Sequence, residues 1–197
     1  MKRLVVLASG NGSNLQAIID ACESGNLPAK VVTVISDRQA AFALERARIH
    51  QIPVEYHPWK PYRENGRTRQ DYDTDLAEKA ASYQPNYILL AGWMRMLSMH
   101  FLGRFQQRVI NLHPALPGTF PGTHAIERAF EAYWAGKIEH TGVMVHFVPD
   151  EGMDNGPVIA QEIVPILPDD TLELLEERIH TVEHHVLVTA LQQVFRQ

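Results

Sequence analysis

The sequence predicts an α/β protein built on a doubly wound, mostly parallel sheet, and three observations carry that prediction. Short β-branched apolar runs, RLVVLAS, KVVTVIS, NYILLAG and RVINLH, recur along the chain with helix-period segments between them. These runs are continuously apolar rather than alternating, which is the pattern of strands covered on both faces. Further on, TGVMVHFV and GPVIAQEIVPI follow one another across the turn-rich stretch 149–157. That spacing leaves no room for a crossover helix and predicts an antiparallel pair towards the C terminus.

RLVVLAS opens the sheet and runs into GNGSN, where glycines turn the chain into a helix over 14–22. Leu15, Ile18, Ile19 and the one cysteine, Cys22, form an apolar stripe at helical spacing there, so Cys22 reads as core rather than as a nucleophile. KVVTVIS is the second strand, followed by a helix over 40–50. The polar stretch HPWKPYRENGRTRQD, 57–71, reads as one surface loop, of a length that compact domains often devote to function. NYILLAG leads into a helical segment over 98–105, and RVINLH into a Pro- and Gly-bent loop. Apolar residues at 172, 175, 179, 182 and 186 mark one face of a helix over 172–195 that closes the core. With no repeat, linker or low-complexity tract, residues 1–197 read as a single domain.

Composition narrows the function. The chain is 45% hydrophobic with a net charge of −5 and no Lys/Arg-dense run, which argues against nucleic acid or a membrane surface as the partner. No apolar stretch reaches bilayer length, and the opening MKRLVVLASGNGSN turns into a glycine loop too soon for a secretory signal. One cysteine forms no internal disulfide, and the expected location is cytoplasmic. Monomer and homodimer both remain open.

In open parallel sheets, ligands bind outside the carboxyl ends of the strands. The segments SGNGSN, SDR, AGWMRML and NLHPALPG should therefore meet on one edge. At the first, backbone N–H groups of Gly12, Ser13 and Asn14 can face an anion at the positive end of a helix dipole; the alternative is a tight turn with Ser13 as N-cap. The loop lacks the Lys of a phosphate loop, which argues against ATP, and the third glycine of a dinucleotide fingerprint, which weakens a nicotinamide reading with Asp37 on a ribose. Asn111 and His113, two apart on a strand, project to the same face, and Pro114 keeps His113 out of helical conformation. An amide donor beside an imidazole suits attack on a carbonyl, unless both are merely satisfied by the next loop.

Among Asp150, Glu151 and Asp154, the last stands before Asn-Gly-Pro, a sharp bend able to hold its carboxylate against His113 and raise that ring's basicity. His146, inside a strand, reads as a structural histidine. His184 and His185 are adjacent and face different directions, so no metal site is expected. Glu183, beside the apolar stripe of the last helix, reads by spacing as a rim ion-pair residue or, second, as a substrate ligand.

Taken in order, ASGNGSNLQAI, AGWMRML, NLHPALPGTFPGTHAI and HFVPDEGMDNGPVI resemble the motifs of the glycinamide ribonucleotide formyltransferases of de novo purine synthesis, across nearly the whole chain. The resemblance implies transfer of a formyl group from 10-formyltetrahydrofolate to the amine of glycinamide ribonucleotide, by direct attack through a tetrahedral intermediate. It implies a catalytic trio of Asn111 (oxyanion donor), His113 (proton exchange) and Asp154 (orienting His113 and a water). It also implies that Gly12, Ser13, Asn14 and Glu183 hold the ribonucleotide, reversing the spacing-based reading of Glu183. Arg69, Met94, Arg95, Met96 and Leu97, with Asn111, would meet the folate, and a mobile loop over about 118–136 would close the site. Two departures stand out: Ala115-Leu116-Pro117-Gly118 replaces a frequent Ser-Leu-Leu-Pro, and the stretch from His146 to Asp154 is one residue longer than the pattern. Related enzymes use the same trio for hydrolysis of formyltetrahydrofolate or for formylation of a tRNA, the first with an extra N-terminal domain and the second with an extra C-terminal one; a non-catalytic nucleotide-binding module is the remaining alternative.

Overall fold

In the computed structural model, which describes residues 1–152 and 154–196, the first apolar run forms strand β1 (Lys2–Leu7), with Leu4 to Leu7 fully buried. The chain continues through helix α1 (Ser13–Glu23), strand β2 (Ala29–Ser36), helix α2 (Phe42–Ile49) and the short strand β3 (Val54–Tyr56). Helices α3 (Lys60–Glu64) and α4 (Arg69–Ser82) precede strand β4 (Tyr87–Leu90). One turn of helix, α5 (Met99–Leu102), runs into a 3-10 turn before strand β5 (Val109–His113). Helix α6 (Ala125–Trp134), strands β6 (His140–Phe147) and β7 (Val158–Pro165), and helix α7 (Leu172–Phe195) complete the order.

The seven strands form one sheet, β3-β2-β1-β4-β5-β6-β7, parallel from β3 to β5 and antiparallel across β5-β6-β7. Helices cover both faces. Leu15 and Ile18 of α1, Leu44 of α2, Ile126 of α6 and Ile179 of α7 share one buried cluster, while Tyr72 and Leu76 of α4 and Phe101 of α5 share another. The strand order reverses direction between β1 and β4, so the crevice at their carboxyl ends is the place where this architecture receives a ligand. Among the described residues, no helix is long and apolar enough to cross a membrane.

Three expectations need correction. The stretch 57–71 is not one loop: Pro61 starts α3, where its missing N–H costs nothing, and Thr68 and Asp71 form a reciprocal capping box that starts α4. The stretch 118–136 is not one loop either, because Ala125, Ile126 and Ala129 bury one face of α6; 118–124 and the turn at 135–136 lie outside the helix. Finally, Gly12, not Ser13, occupies the N-cap of α1, with φ at 78° and no capping side chain.

Gly12 is required at that point. A Cβ there would lie 2.7 Å from both Cα and Cβ of Ala43, and the left-handed backbone adds its own cost. Gly12→Ala is expected to destabilise the fold by about 2–4 kcal/mol, measured as a lower urea midpoint at unchanged m-value; a loss below about 1 kcal/mol contradicts this packing.

Candidate active site

Lateral pairing brings the four predicted segments together. The Ser9 N–H donates to the Gly92 carbonyl at 2.9 Å, and the Met94 N–H to Ser9 Oγ at 3.0 Å, joining the loops after β1 and β4. Arg95 reaches within 4.0 Å of Asp37 at the end of β2. Leu90 of β4 stands in register with Asn111 of β5.

Asn111 and His113 project to one face of β5, while Ile110 and Leu112 belong to the cluster under α7 on the other. Asp154 arrives from the loop between β6 and β7, its backbone left-handed at φ 50°, a conformation that Asp tolerates better than most residues. Asp154 Oδ1 accepts from Asn111 Nδ2 at 3.0 Å, and Oδ2 accepts from the Gly122 N–H at 2.8 Å. His113 Nδ1 faces Oδ2 at 3.4 Å. The other ring nitrogen, Nε2, lies 3.0 Å from the Phe120 carbonyl. The trio read from sequence is therefore one contact cluster, and a concavity of about 320 Å³ borders Asp154 beneath Pro117–Thr119 and Pro121.

His146 is, as read from its place in a strand, a buried histidine satisfied by its neighbours, Nδ1 lying 2.8 Å from the Phe147 carbonyl, but its other nitrogen faces this cluster. It is buried opposite Asn111 in the β5–β6 pairing, Nε2 lying 3.2 Å from Asn111 Nδ2 and 3.6 Å from Asp154 Oδ1. The irregularity in the β6–β7 register falls at Val145/His146, a position where a bulge re-aims side chains.

Burial pushes the His113 pKa below the ordinary histidine value, and the Asp154 charge and the Phe120 carbonyl offset only part of that. Burial alone would raise Asp154, but His146 and the Gly122 N–H outweigh it and hold the carboxyl below its usual range. The result is a neutral imidazole beside a firmly ionised carboxylate. A proton taken up by that ring meets a counter-charge already in place.

The other predicted residues flank this cluster on two sides. Asn14 and Glu183 are both buried, and Asn14 Nδ2 donates to Glu183 Oε2 at 3.2 Å, tying α1 to α7 at the glycine loop. Its burial takes Glu183 off the rim, while the ion pair that its spacing suggested is present, Oε2 accepting from His180 Nδ1 at 2.9 Å. Asn14 Oδ1 is buried without a protein partner. On the other side, Arg69 at the start of α4 lies 3.5 Å from Asp73, whose Oδ2 accepts the Ser98 N–H at 2.6 Å. Met94 and Met96 are exposed, Leu97 is buried in the core, and the Arg95 guanidinium lies 5.2 Å and 5.3 Å from the ring centroids of Trp59 and Tyr72. The Met99 N–H donates to Glu151 at 2.9 Å, which anchors this segment to the Asp154 loop. Sequence reasoning missed Asp73 and Ser98; in a stretch whose helix the residue pattern hides, one acid among several gives no sign that it turns towards a loop.

Fold and site together define a class: a doubly wound α/β enzyme that gathers an amide, an imidazole and a carboxylate at the carboxyl edge of its sheet. The chain belongs to the formyl transferase family, whose profile matches residues 2–191. It is 51% identical over 199 residues to the phosphoribosylglycinamide formyltransferase of Schizosaccharomyces pombe, covering 97% of this chain and 96% of that one. It is 46% identical over 198 residues to the protein of the same name from Dictyostelium discoideum, covering 96% of each. The crystal structure of phosphoribosylglycinamide formyltransferase from Bacillus halodurans superposes with a TM-score of 0.91 at 39% identity, covering 98% of this chain and 95% of that one.

Proposed function

We propose that this formyl transferase moves the formyl group of 10-formyltetrahydrofolate to the amine of glycinamide ribonucleotide. The products are formylglycinamide ribonucleotide and tetrahydrofolate, a step of de novo purine synthesis. One observation carries the reading: two differently built groups of residues flank Asn111, His113 and Asp154. The glycine loop and Glu183 lie on the side of α1 and α7, and Arg69 with residues 94–97 on the side of α4. Leu7, Leu90 and Asn111 are lateral neighbours on three adjacent strands, which separates the glycine loop from Asn111 by about two strand spacings, roughly 10 Å. A phosphoribosyl group with its glycinamide arm spans that gap, phosphate on the N–H groups of Gly12, Ser13 and Asn14.

The chemistry follows from the groups at the junction. The amine attacks the formyl carbon; the Asn111 N–H donates to the oxygen as negative charge grows on it. His113, neutral at rest, receives the proton lost by the amine and returns one to the departing folate nitrogen, while Asp154 holds the ring and balances its charge. No covalent enzyme intermediate is required, and no metal or ATP enters this scheme.

The test is incubation of the protein with 10-formyltetrahydrofolate, with and without the ribonucleotide. Tetrahydrofolate release that depends on the ribonucleotide, with formylglycinamide ribonucleotide as product, is expected. Free formate released regardless of acceptor would make the protein a hydrolase, and no turnover would defeat the reading. Within it, Asn14→Ala and Glu183→Gln should each raise KM for the ribonucleotide about tenfold, with KM for the folate within about twofold. An unchanged ribonucleotide KM removes the glycine loop and α7 from the acceptor site.

A further inference from the structure

Arg128, on α6, has no part in the scheme above. Its Nη2 donates to the carbonyl oxygens of Phe120 and Pro121, each at 2.7 Å, and its Nε to the His124 carbonyl at 3.3 Å. One side chain thus gathers three carbonyls of the loop that joins β5 to α6. That loop needs holding: Phe120, Gly122 and His124 are all left-handed, at φ 45°, 81° and 57°, a conformation that costs a bulky residue such as Phe free energy its surroundings must supply. The Phe120 oxygen held by Arg128 is also the partner of His113 Nε2, at 3.0 Å.

The geometry points to Arg128 as a positioning residue for His113: the guanidinium fixes the Phe120 carbonyl, and that carbonyl fixes the imidazole. The inference rests on the proposed proton exchange at His113. Two physical consequences follow. In the neutral ring the Nε2–H donates to the Phe120 carbonyl, which stops the ring turning and leaves Nδ1, 3.4 Å from Asp154, as the nitrogen that takes up a proton. The guanidinium, charged at every working pH, sits one carbonyl away and opposes protonation of the ring in the resting enzyme. His113 is otherwise faced by Asp154 from the β6–β7 loop, His146 from β6, and the Thr119 and Phe120 carbonyls of its own loop.

The experiment compares wild type with Arg128→Ala and Arg128→Lys in two readouts. One is titration of the His113 ring in the ligand-free protein by NMR, its signal assigned with His113→Gln. The other is the pH profile of kcat for formyl transfer. In Arg128→Ala the loop loosens, water reaches the ring and the nearby cation is lost, so the titration midpoint should rise by about half a unit or more. The acid limb of kcat should move with it, kcat should fall about tenfold, and both KM values should stay within about twofold. Arg128→Lys, which keeps the charge but not the planar fork that reaches three carbonyls, should bring the titration midpoint back towards wild type while kcat stays below it, and added methylguanidinium should restore part of the activity of Arg128→Ala. If midpoint and acid limb both coincide with wild type in Arg128→Ala, the proposal is wrong, even if kcat drops. If Arg128→Ala does not fold, Arg128→Gln replaces it, with the same shift expected and the same coincidence fatal. If wild type transfers no formyl group, the proposed function fails, while the NMR titration still decides whether Arg128 controls His113.

Discussion

Asp154→Asn is expected to lower kcat about a thousandfold while leaving the fold in place, because this carboxylate holds every other member of the cluster. It accepts from Asn111 at 3.0 Å and from the Gly122 N–H at 2.8 Å, and faces His113 at 3.4 Å and His146 at 3.6 Å. An amide of the same shape offers one oxygen where two were used, and its NH₂ opposes an N–H donor on one side. It also removes the negative charge that balances a proton arriving on His113, a loss felt mainly in the transition state. Steady-state kcat at saturating concentrations of both substrates is the measurement. A value within tenfold of wild type would show that Asp154 only closes its own loop.

Asn111→Ala and His113→Ala should each reduce kcat by a factor on the order of a hundred or more, the range expected for removing an oxyanion donor or a proton carrier. The mechanisms differ and so do the pH signatures. Because burial depresses the His113 pKa, the ring stays neutral below the ordinary histidine value of 6.5, and wild-type turnover should fall only as pH drops through the lower, folded-state value. Protonated His113 cannot accept the proton of the amine, so activity is lost on the acid side and retained on the neutral side. Asn111→Ala should keep that acid limb, and His113→Ala should lose it. The double substitution should cost less than the product of the two, since both residues act through Asp154. Wild-type turnover in either single variant would refute the assignment of that residue.

Much of this site was legible before any coordinates, for local reasons. Asn111 and His113 share a face because strand side chains alternate with period two, and Pro114 ends the strand at the residue that matters. The last helix matches its expected span, Leu172–Phe195, because an apolar stripe over several turns leaves little else for the segment to do. Helix α4 was hidden for the converse reason. Its buried face, Tyr72, Asp73, Leu76, Ala77 and Ala80, includes two alanines and an acid, a weak hydrophobic signal within a charged stretch. Its capping box was present in the sequence, in Thr68 and Asp71, and is the signal that reveals the helix.

By itself, then, the sequence determined six of the seven strands, the parallel core with its antiparallel end, and the candidates Asn111, His113 and Asp154, because each depends on a short-range period or on the conformational limits of Pro and Gly; the three-residue edge strand β3, Val54–Tyr56, is too short to show a period. Only the tertiary structure decided that His146 joins them, that Glu183 is buried against Asn14, and that Arg128 reaches the loop over His113. Those facts depend on strand register and helix docking, which are set by the packing of the whole core and leave no periodic trace in the residues they bring together.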